Sequence, residues 1–356
     1  MALFDDMLKN DESLFMDSVA LDYDFLPKLI PYREKEQKYI ALCIKPLMAK
    51  RTGKNILVHG SPGVGKTAAV RHVFREIEET YDDIVPIYIN VWQKNTTFKI
   101  IIDICNQLDY KFTHNKKTEE LFEIVKNQLN KSSVVFCFDE IDKAEDLDFL
   151  YMILEQVYRK TVVLITNYTE WINDLDERIK SRLNIELMEF RKYTEFETKG
   201  ILNERKKFAF VEGVWEQDAF NLVAKKTSEI GDIRTGLYIM REAGNTAENR
   251  ASRKIEIADV EDAACKISDI KIKKSTELKN DEQLILKLVK ENSGKKIGDL
   301  FNIYKENKGE GVYKTFQRKI EFLSKNKFIS TDKQLGGPDG TTTLVKYERE
   351  TKLDEF

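Results

Sequence analysis

Proline and cysteine are scarce in this chain of 356 residues, with six and four copies. Five prolines lie at or before Pro86 and the sixth is Pro338. The long middle therefore lacks the residue that fixes φ and removes a backbone donor, and helices are permitted there. The cysteines (Cys43, Cys105, Cys137, Cys265) stand far apart and form no CxxC pair. They read as reduced core residues of an intracellular protein. No run of 18 apolar residues occurs, which excludes a transmembrane helix and leaves no membrane partner. Residues 1–24 hold seven acids against Lys9, the opposite of a secretory or transit leader, so the expected location is cytoplasmic, at the nucleoid. A marked excess of one charge is also missing. Lys+Arg is 58 and Asp+Glu is 61, which argues against a simple basic coat for nucleic acid or an acidic tail. What is present is 42% hydrophobic and 33% charged residues, enough for real cores over two or three domains of about 100–200 residues.

The apolar pattern alternates between strand and helix periods through the first half. Residues 1–24 are expected to be acidic and loosely ordered. A helix is predicted over 33–50, with Pro46 kinking it or ending it early. Strands are predicted at 55–59, 84–91, 133–138 and 161–166. Helices are predicted between them at 67–80, 97–107, 118–129 and 147–158. Such alternation predicts a parallel sheet with helices on both faces. From Thr194 onward the strand signal stops, and four amphipathic helices are predicted at 194–205, 216–226, 232–249 and 258–267. A polar, basic linker is expected at 271–279. Helices at 281–290, 297–307 and 312–323 then precede two short strands, 328–330 and 344–347, around the turn-rich loop 335–340. Three helices followed by a β-hairpin is a winged-helix pattern.

Gly60-Ser61-Pro62-Gly63-Val64-Gly65-Lys66-Thr67 fits the phosphate-binding pattern GxxxxGK[ST] between a strand and a helix. The glycines let backbone N–H groups converge on phosphate oxygens at a helix N-terminus. Lys66 is expected to reach the β- and γ-phosphates of ATP, and Thr67 to ligate Mg2+. The strand at 133–138 runs into Asp139 and Glu140, at the sheet edge where open α/β folds bind ligands. Asp139 is expected to hold Mg2+ through water, and Glu140 to orient or activate the attacking water. Asn167, ending the next strand, is expected to place its amide near the γ-phosphate.

This ordered series resembles the AAA+ ATPases. More closely, it resembles the archaeal origin-recognition and replication-initiator family, which is similar to the eukaryotic origin recognition complex and its helicase-loading partner. Further matching segments are residues 26–34 (LPKLIPYRE), 175–183 (LDERIKSRL) and 231–234 (GDIR). The resemblance covers roughly residues 26–347. It implies an α/β P-loop AAA+ core with a parallel sheet, followed by an α-helical lid and a C-terminal winged-helix domain. The implied bounds are 25–191 for the core, 192–270 for the lid, 271–280 for a linker and 281–350 for the winged helix, after a flexible 1–24. It also implies that Arg234 reaches the γ-phosphate from the lid of its own subunit. Arg178 or Arg182 would contact nucleotide held by a neighbouring subunit. Ile30, Arg33, Ala68 and Tyr193 complete the expected nucleotide set, Ile30 and Arg33 bordering adenine.

The same resemblance implies a DNA-contacting helical insertion over 91–108, where Trp92, Lys94, Asn95, Thr96 and Lys99 would touch the duplex and Ile100, Ile101 and Ile104 would be core. Residues 271–347 hold 17 basic and 10 acidic side chains, a net of +7; residues 348–356 carry −2, leaving −8 for 1–270. A basic module on an acidic ATPase is the expected charge pattern of DNA binding through that module. On the helix at 312–323, Val312, Phe316, Ile320 and Leu323 would form the buried stripe. Tyr313, Lys314, Gln317 and Arg318 would then face DNA, with Lys333, Gly336 and Gly337 in the wing. The resulting expectation is an ATP-dependent initiator that binds origin double-stranded DNA, recruits the replicative helicase, and meets itself or a paralogue on DNA. The competing expectation is a regulatory AAA+ ATPase, of a transposition or stress type, that recruits protein partners.

Overall fold

The computed structural model describes residues 13–276, 280–307, 309, 311–325, 328–337 and 340–347. The chain divides into two compact units, Met1–Val260 and Glu261–Phe356.

In the first unit α1 (Glu34–Ile44) gives way to a 3-10 turn, Lys45–Ala49, with Pro46 at its start. Proline there removes a donor that the first turn of a helix does not use. Next come β1 (Asn55–His59), α2 (Lys66–Thr80), β2 (Ile84–Asn90), α3 (Thr97–Gln107), α4 (Thr118–Leu129), β3 (Ser133–Asp139), α5 (Asp148–Gln156), β4 (Lys160–Thr166), α6 (Glu177–Leu183) and β5 (Ile185–Glu189). The five strands form one sheet in the order β2-β3-β4-β1-β5, and every pair is parallel. β3 and β4 are buried along their whole length, as a sheet covered on both faces requires. One face packs Leu57, Phe136, Phe138 and Leu164 against α3–α5; the other packs Val58, Val135, Cys137 and Val163 against α1 and α2.

The register brings the strand ends level. His59 pairs with Thr166 and Glu189, and Asp139 pairs with Asn90 and Ile165. Because β4 lies between β1 and β3, the turns after β1, β3 and β4 open side by side at the C-terminal edge.

Four helices follow: α7 (Glu195–Ala209), α8 (Gln217–Ile230), α9 (Ile233–Asn249) and α10 (Ile257–Thr276). Thr194 caps α7 and Glu197 bonds back to the Thr194 N–H, closing a capping box. Leu202, Phe220, Val223, Leu237 and Met240 fill the space between α7, α8 and α9.

The second unit holds α11 (Asn280–Glu291), β6 (Lys295–Lys296), α12 (Ile297–Glu306), α13 (Tyr313–Lys325), β7 (Ile329–Gly337) and β8 (Gly340–Tyr347). Its antiparallel sheet has the order β6-β8-β7, the arrangement of a winged helix. Ile285, Leu300, Phe316, Ile320, Leu323 and Val345 form its core around Tyr304, whose hydroxyl donates to Asp281.

Several expectations are corrected. β5 was not expected: it is a short edge strand with two acids and one buried residue, so its pattern is weak and only pairing with β1 defines it. Residues 13–24, expected to be loose, pack on the lid. Leu14, Ala20 and Leu21 are buried, the Phe15 ring lies 4.8 Å from that of Phe210, and the Ser13 hydroxyl donates to Glu248. A side chain at Gly244 would strike the Phe15 ring, so α9 presents glycine there. Arg205 donates to the Ala20 and Phe25 carbonyls, and Arg241 pairs with Asp22. In the expected linker, residues 271–276 continue α10, while 277–279 lie outside the described residues. The hairpin strands are longer than expected, so Lys333, Gly336 and Gly337 lie on β7; Pro338 and Asp339 are outside the described residues. Val312 precedes α13 and is 65% exposed, so it leaves the buried stripe. Cys43, Cys105 and Cys137 are buried, but Cys265 is exposed.

Candidate functional site

The turn after β1 wraps the N-terminus of α2. Gly63 (φ 73°) and Gly65 (φ 87°) take left-handed conformations, which glycine adopts at no steric cost. Both are also crowded. A Cβ at Gly63 would overlap the Asp232 carboxylate, and one at Gly65 would lie 2.7 Å from the Tyr193 hydroxyl. Val64 is fully buried, while Ser61, Pro62 and Ala68 are half-buried around it. Lys66 Nζ donates to the Gly60 carbonyl at 2.7 Å, the Ser61 carbonyl at 2.9 Å and Asn167 Oδ1 at 2.8 Å. The expected phosphate lysine and the expected strand-end amide are thus in direct contact.

Asp139 is 3% exposed, and donors surround its carboxylate. Thr67 Oγ1 and the Tyr88 hydroxyl each donate to Oδ2 at 2.7 Å, and the Glu140 N–H donates to Oδ1 at 2.9 Å. Glu140 takes a left-handed φ of 56°, which turns the chain sharply after β3. Asn167 Nδ2 donates to Glu140 Oε2 at 3.1 Å. Burial, then the charges of Asp139 and Asp142, push the Glu140 carboxyl above its ordinary pKa. Burial and the same Asp139 charge raise that of the Tyr88 phenol. Lys66, Thr67, Asp139, Glu140 and Asn167 therefore form one connected network at the sheet edge.

These residues suit Mg2+. Thr67 Oγ1 and Asp139 Oδ2 are hard oxygen donors 2.7 Å apart beside the loop. Among the described residues no group of three His, Cys, Asp or Glu could cage a metal alone. Mg2+ is commonly held by one or two protein oxygens, with phosphates and water supplying the rest. Beside the loop opens a cleft of about 510 Å³, lined by Gly60, Ser61, Asn167, Tyr168, Arg191 and Lys192.

Arg33, expected with Ile30 to border adenine, has a side chain held wholly within the protein. Nε donates to the Val64 carbonyl at 3.2 Å, Nη2 to the carbonyls of Val64 and Arg191, and Nη1 to Glu36 at 2.8 Å. The guanidinium stacks on Phe190 and Tyr193. It braces the phosphate loop against the segment joining β5 to α7. Tyr193, 9% exposed, belongs to this brace, and Ile30 is buried nearby in sequence.

The lid contributes Asp232 and Arg234. The Ile233 N–H donates to the Gly63 carbonyl at 3.3 Å, which sets the start of α9 on the loop. Asp232 holds Arg234 through both carboxylate oxygens, at 2.7–3.2 Å. That hydrogen bonding, against the opposing effect of burial, raises the guanidinium pKa, and the charge of Glu140 adds to it. Sequence reasoning singled out Arg234 and passed over Asp232 and Tyr88. Asp232 stood in the same four-residue motif. Tyr88 had only its place two residues before the end of β2 as a signal.

A family profile described as a Cdc6 AAA+ ATPase-type lid domain matches residues 199–265, and one described as an NB-ARC domain matches residues 36–206. The ORC1-type DNA replication protein 1 of Archaeoglobus fulgidus is 30% identical, over 99% of this chain and 92% of its own. The chain belongs to the ORC1-type DNA replication protein family. The type 2 protein of Methanosarcina acetivorans is 29% identical, with 98% of each chain covered. The fold matches the Aeropyrum pernix ORC1 protein solved in complex with DNA, with a TM-score of 0.70, 24% identity and 94% of each chain covered. Like its family, the chain is an AAA+ ATPase that binds ATP or ADP. No described helix is long and apolar enough to cross a membrane.

The remaining expected residues of this ORC1-type chain stand on α3, α6 and α13 or just before α3 and α13. Arg178 is 75% exposed and bonds Asp176 at 3.0–3.1 Å; that pairing holds the Asp176 carboxyl at about 2. Arg182 pairs with Glu155 at 3.3 Å, and both guanidinium groups lie over the Tyr151 ring. Ile100, Ile101 and Ile104 are fully buried on α3, as expected. Thr96 caps that helix. Lys99 donates to Asn95, Asn95 to Glu145, and Lys94 approaches Asp103 at 3.8 Å. Trp92 is 65% exposed with Lys143 over its ring. On α13, Lys314 and Arg318 are exposed, Gln317 is half-buried, and Tyr313 packs edge-on against Phe301.

Proposed function

We propose that this chain is an ATP-dependent initiator that binds origin duplex DNA, with nucleotide state setting its grip and its recruitment of the replicative helicase. The connected network of Lys66, Thr67, Asp139, Glu140 and Asn167 carries the ATP-dependent part of this reading. Lys66 would exchange its loop carbonyls for the β- and γ-phosphates. Thr67 and Asp139 would hold Mg2+, which when bound neutralises charge across those phosphates. Glu140, held by Asn167, would accept a proton from the attacking water. Arg234 would leave Asp232 for the γ-phosphate, which ties the lid to the nucleotide. Arg178 or Arg182 would meet nucleotide on a neighbouring copy.

Support for the DNA part comes from the net +7 of residues 271–347, from relatives named DNA replication proteins, and from a neighbour of the same fold solved with DNA. Lys314, Gln317 and Arg318 of α13, with β7, would contact the duplex. Trp92, Lys94, Asn95 and Lys99 would form a second contact.

Filter binding of wild type, Lys66→Ala and Glu140→Gln with ATP tests the switch. Glu140→Gln should hold the ATP-bound affinity and footprint, and Lys66→Ala should stay nucleotide-free in both. Equal affinities and footprints would overturn the switch. Log affinity for duplex should fall linearly with log salt, whereas a recruiter of proteins alone would bind no duplex.

A further inference from the structure

We propose that Tyr88 is a positioning residue for the Mg2+–nucleotide, acting through the Asp139 carboxylate. This rests on the reading of Asp139 as a holder of Mg2+.

Parallel register pairs Tyr88 with Cys137 and Asn90 with Asp139. Tyr88 therefore stands two residues short of the sheet edge on the neighbouring strand. Its length covers that offset: the hydroxyl meets Asp139 Oδ2 at 2.7 Å. From α2, Arg71 places its guanidinium 5.5 Å from the centre of the tyrosine ring. One contact therefore comes from each of two elements, and the phenol is held at the base of the site.

The three donors to Asp139 differ in what they can do. The Glu140 N–H is fixed by the backbone. The Thr67 hydroxyl sits at the start of α2 beside the phosphate loop, and its oxygen would be shared with a bound metal. Of the two side-chain donors, Tyr88 is the one not itself expected to ligate the metal, so its bond serves to fix the orientation of Oδ2. A metal-holding carboxylate that loses an outer hydrogen bond is less firmly oriented, and loss of such partners typically lowers metal affinity about 10–100-fold. A tyrosine serving packing alone would need only its ring; this one aims its polar tip at the buried acid.

The test is equilibrium binding of a fluorescent N-methylanthraniloyl ATP across a Mg2+ titration, with matched points in EDTA. Tyr88→Phe keeps the ring and its contact with Arg71 and removes only the donor. The expected result is a rise of about tenfold or more in the Mg2+ concentration at half-effect, with EDTA affinity unchanged within about twofold. An unmoved midpoint in Tyr88→Phe overturns the proposal, as does an equal loss of affinity with and without Mg2+. Asp139→Asn separates the two claims. If it shifts the midpoint and Tyr88→Phe does not, only the role of Tyr88 fails. If Asp139→Asn leaves the midpoint in place, the metal reading itself fails and takes the proposal with it.

Discussion

Charged groups occupy two regions of the nucleotide unit under opposite conditions. At the sheet edge, Asp139 is 3% exposed and Arg33 is fully buried, and each has several partners fixed by backbone or by neighbouring strands. Around α6, Arg178 is 75% exposed and its partner Asp176 is two residues away on the same chain. Burial makes a polar group costly to leave unmatched, so the first region holds one geometry. An exposed ion pair contributes little to stability and gives way readily to another anion. The first region therefore fixes its groups in one geometry, whereas the exposed pair around α6 can exchange partners.

Four measurements can break or sharpen this contrast. The largest effect is expected for Glu140→Gln, which should lower ATP turnover about 10²–10⁴-fold while nucleotide binding persists. A phosphate-release assay beside a binding titration checks both halves. Next is Arg33→Met. It leaves Glu36 and the Val64 and Arg191 carbonyls without their donor, at a cost of about 3–5 kcal/mol. Thermal unfolding should fall by roughly 10 °C, and a loss as small as that of an exposed arginine would undo the contrast. Arg178→Ala should leave the thermal midpoint essentially unchanged. Its effect should appear only where copies meet, as loss of any rise in specific ATPase activity with protein concentration on DNA. Smallest is the pH response of the Asp176–Arg178 pair. Asp176 is held at about 2, below the ordinary carboxylate value, so the pair supports the fold above about pH 4 and is lost as pH falls through about 2. NMR titration of Asp176 should give that low midpoint, and Arg178→Ala should move it up.

Local signals made much of the molecule legible in advance. The loop from Gly60 to Thr67 joins a short apolar strand to a helix, and Asp139 and Asn167 end apolar runs that lie wholly inside the sheet. Those features need only neighbours in sequence. What escaped depends on distant partners. Arg33 was placed beside adenine by resemblance; the partners that bury it include the Arg191 carbonyl, 158 positions away. Tyr88 owes its role to the register of β2 on β3. The acids of residues 13–24 suggested a loose segment, but Leu14, Phe15 and Leu21 find cover on the lid. Polarity made 271–276 look like a break, yet lysine is a good helix former and α10 runs through.

That early segment has a consequence for synthesis. Residues 13–25 leave the ribosome about 200 residues ahead of Phe210, Arg241 and Glu248, on which they rest. Chains add roughly 5–20 residues per second, so the segment waits tens of seconds for its dock. Contacts this far apart in sequence carry a loop-closure cost that local helices do not. Docking is thus a late event in folding, and a nascent chain halted before α9 is complete would display Leu14, Phe15 and Leu21 uncovered.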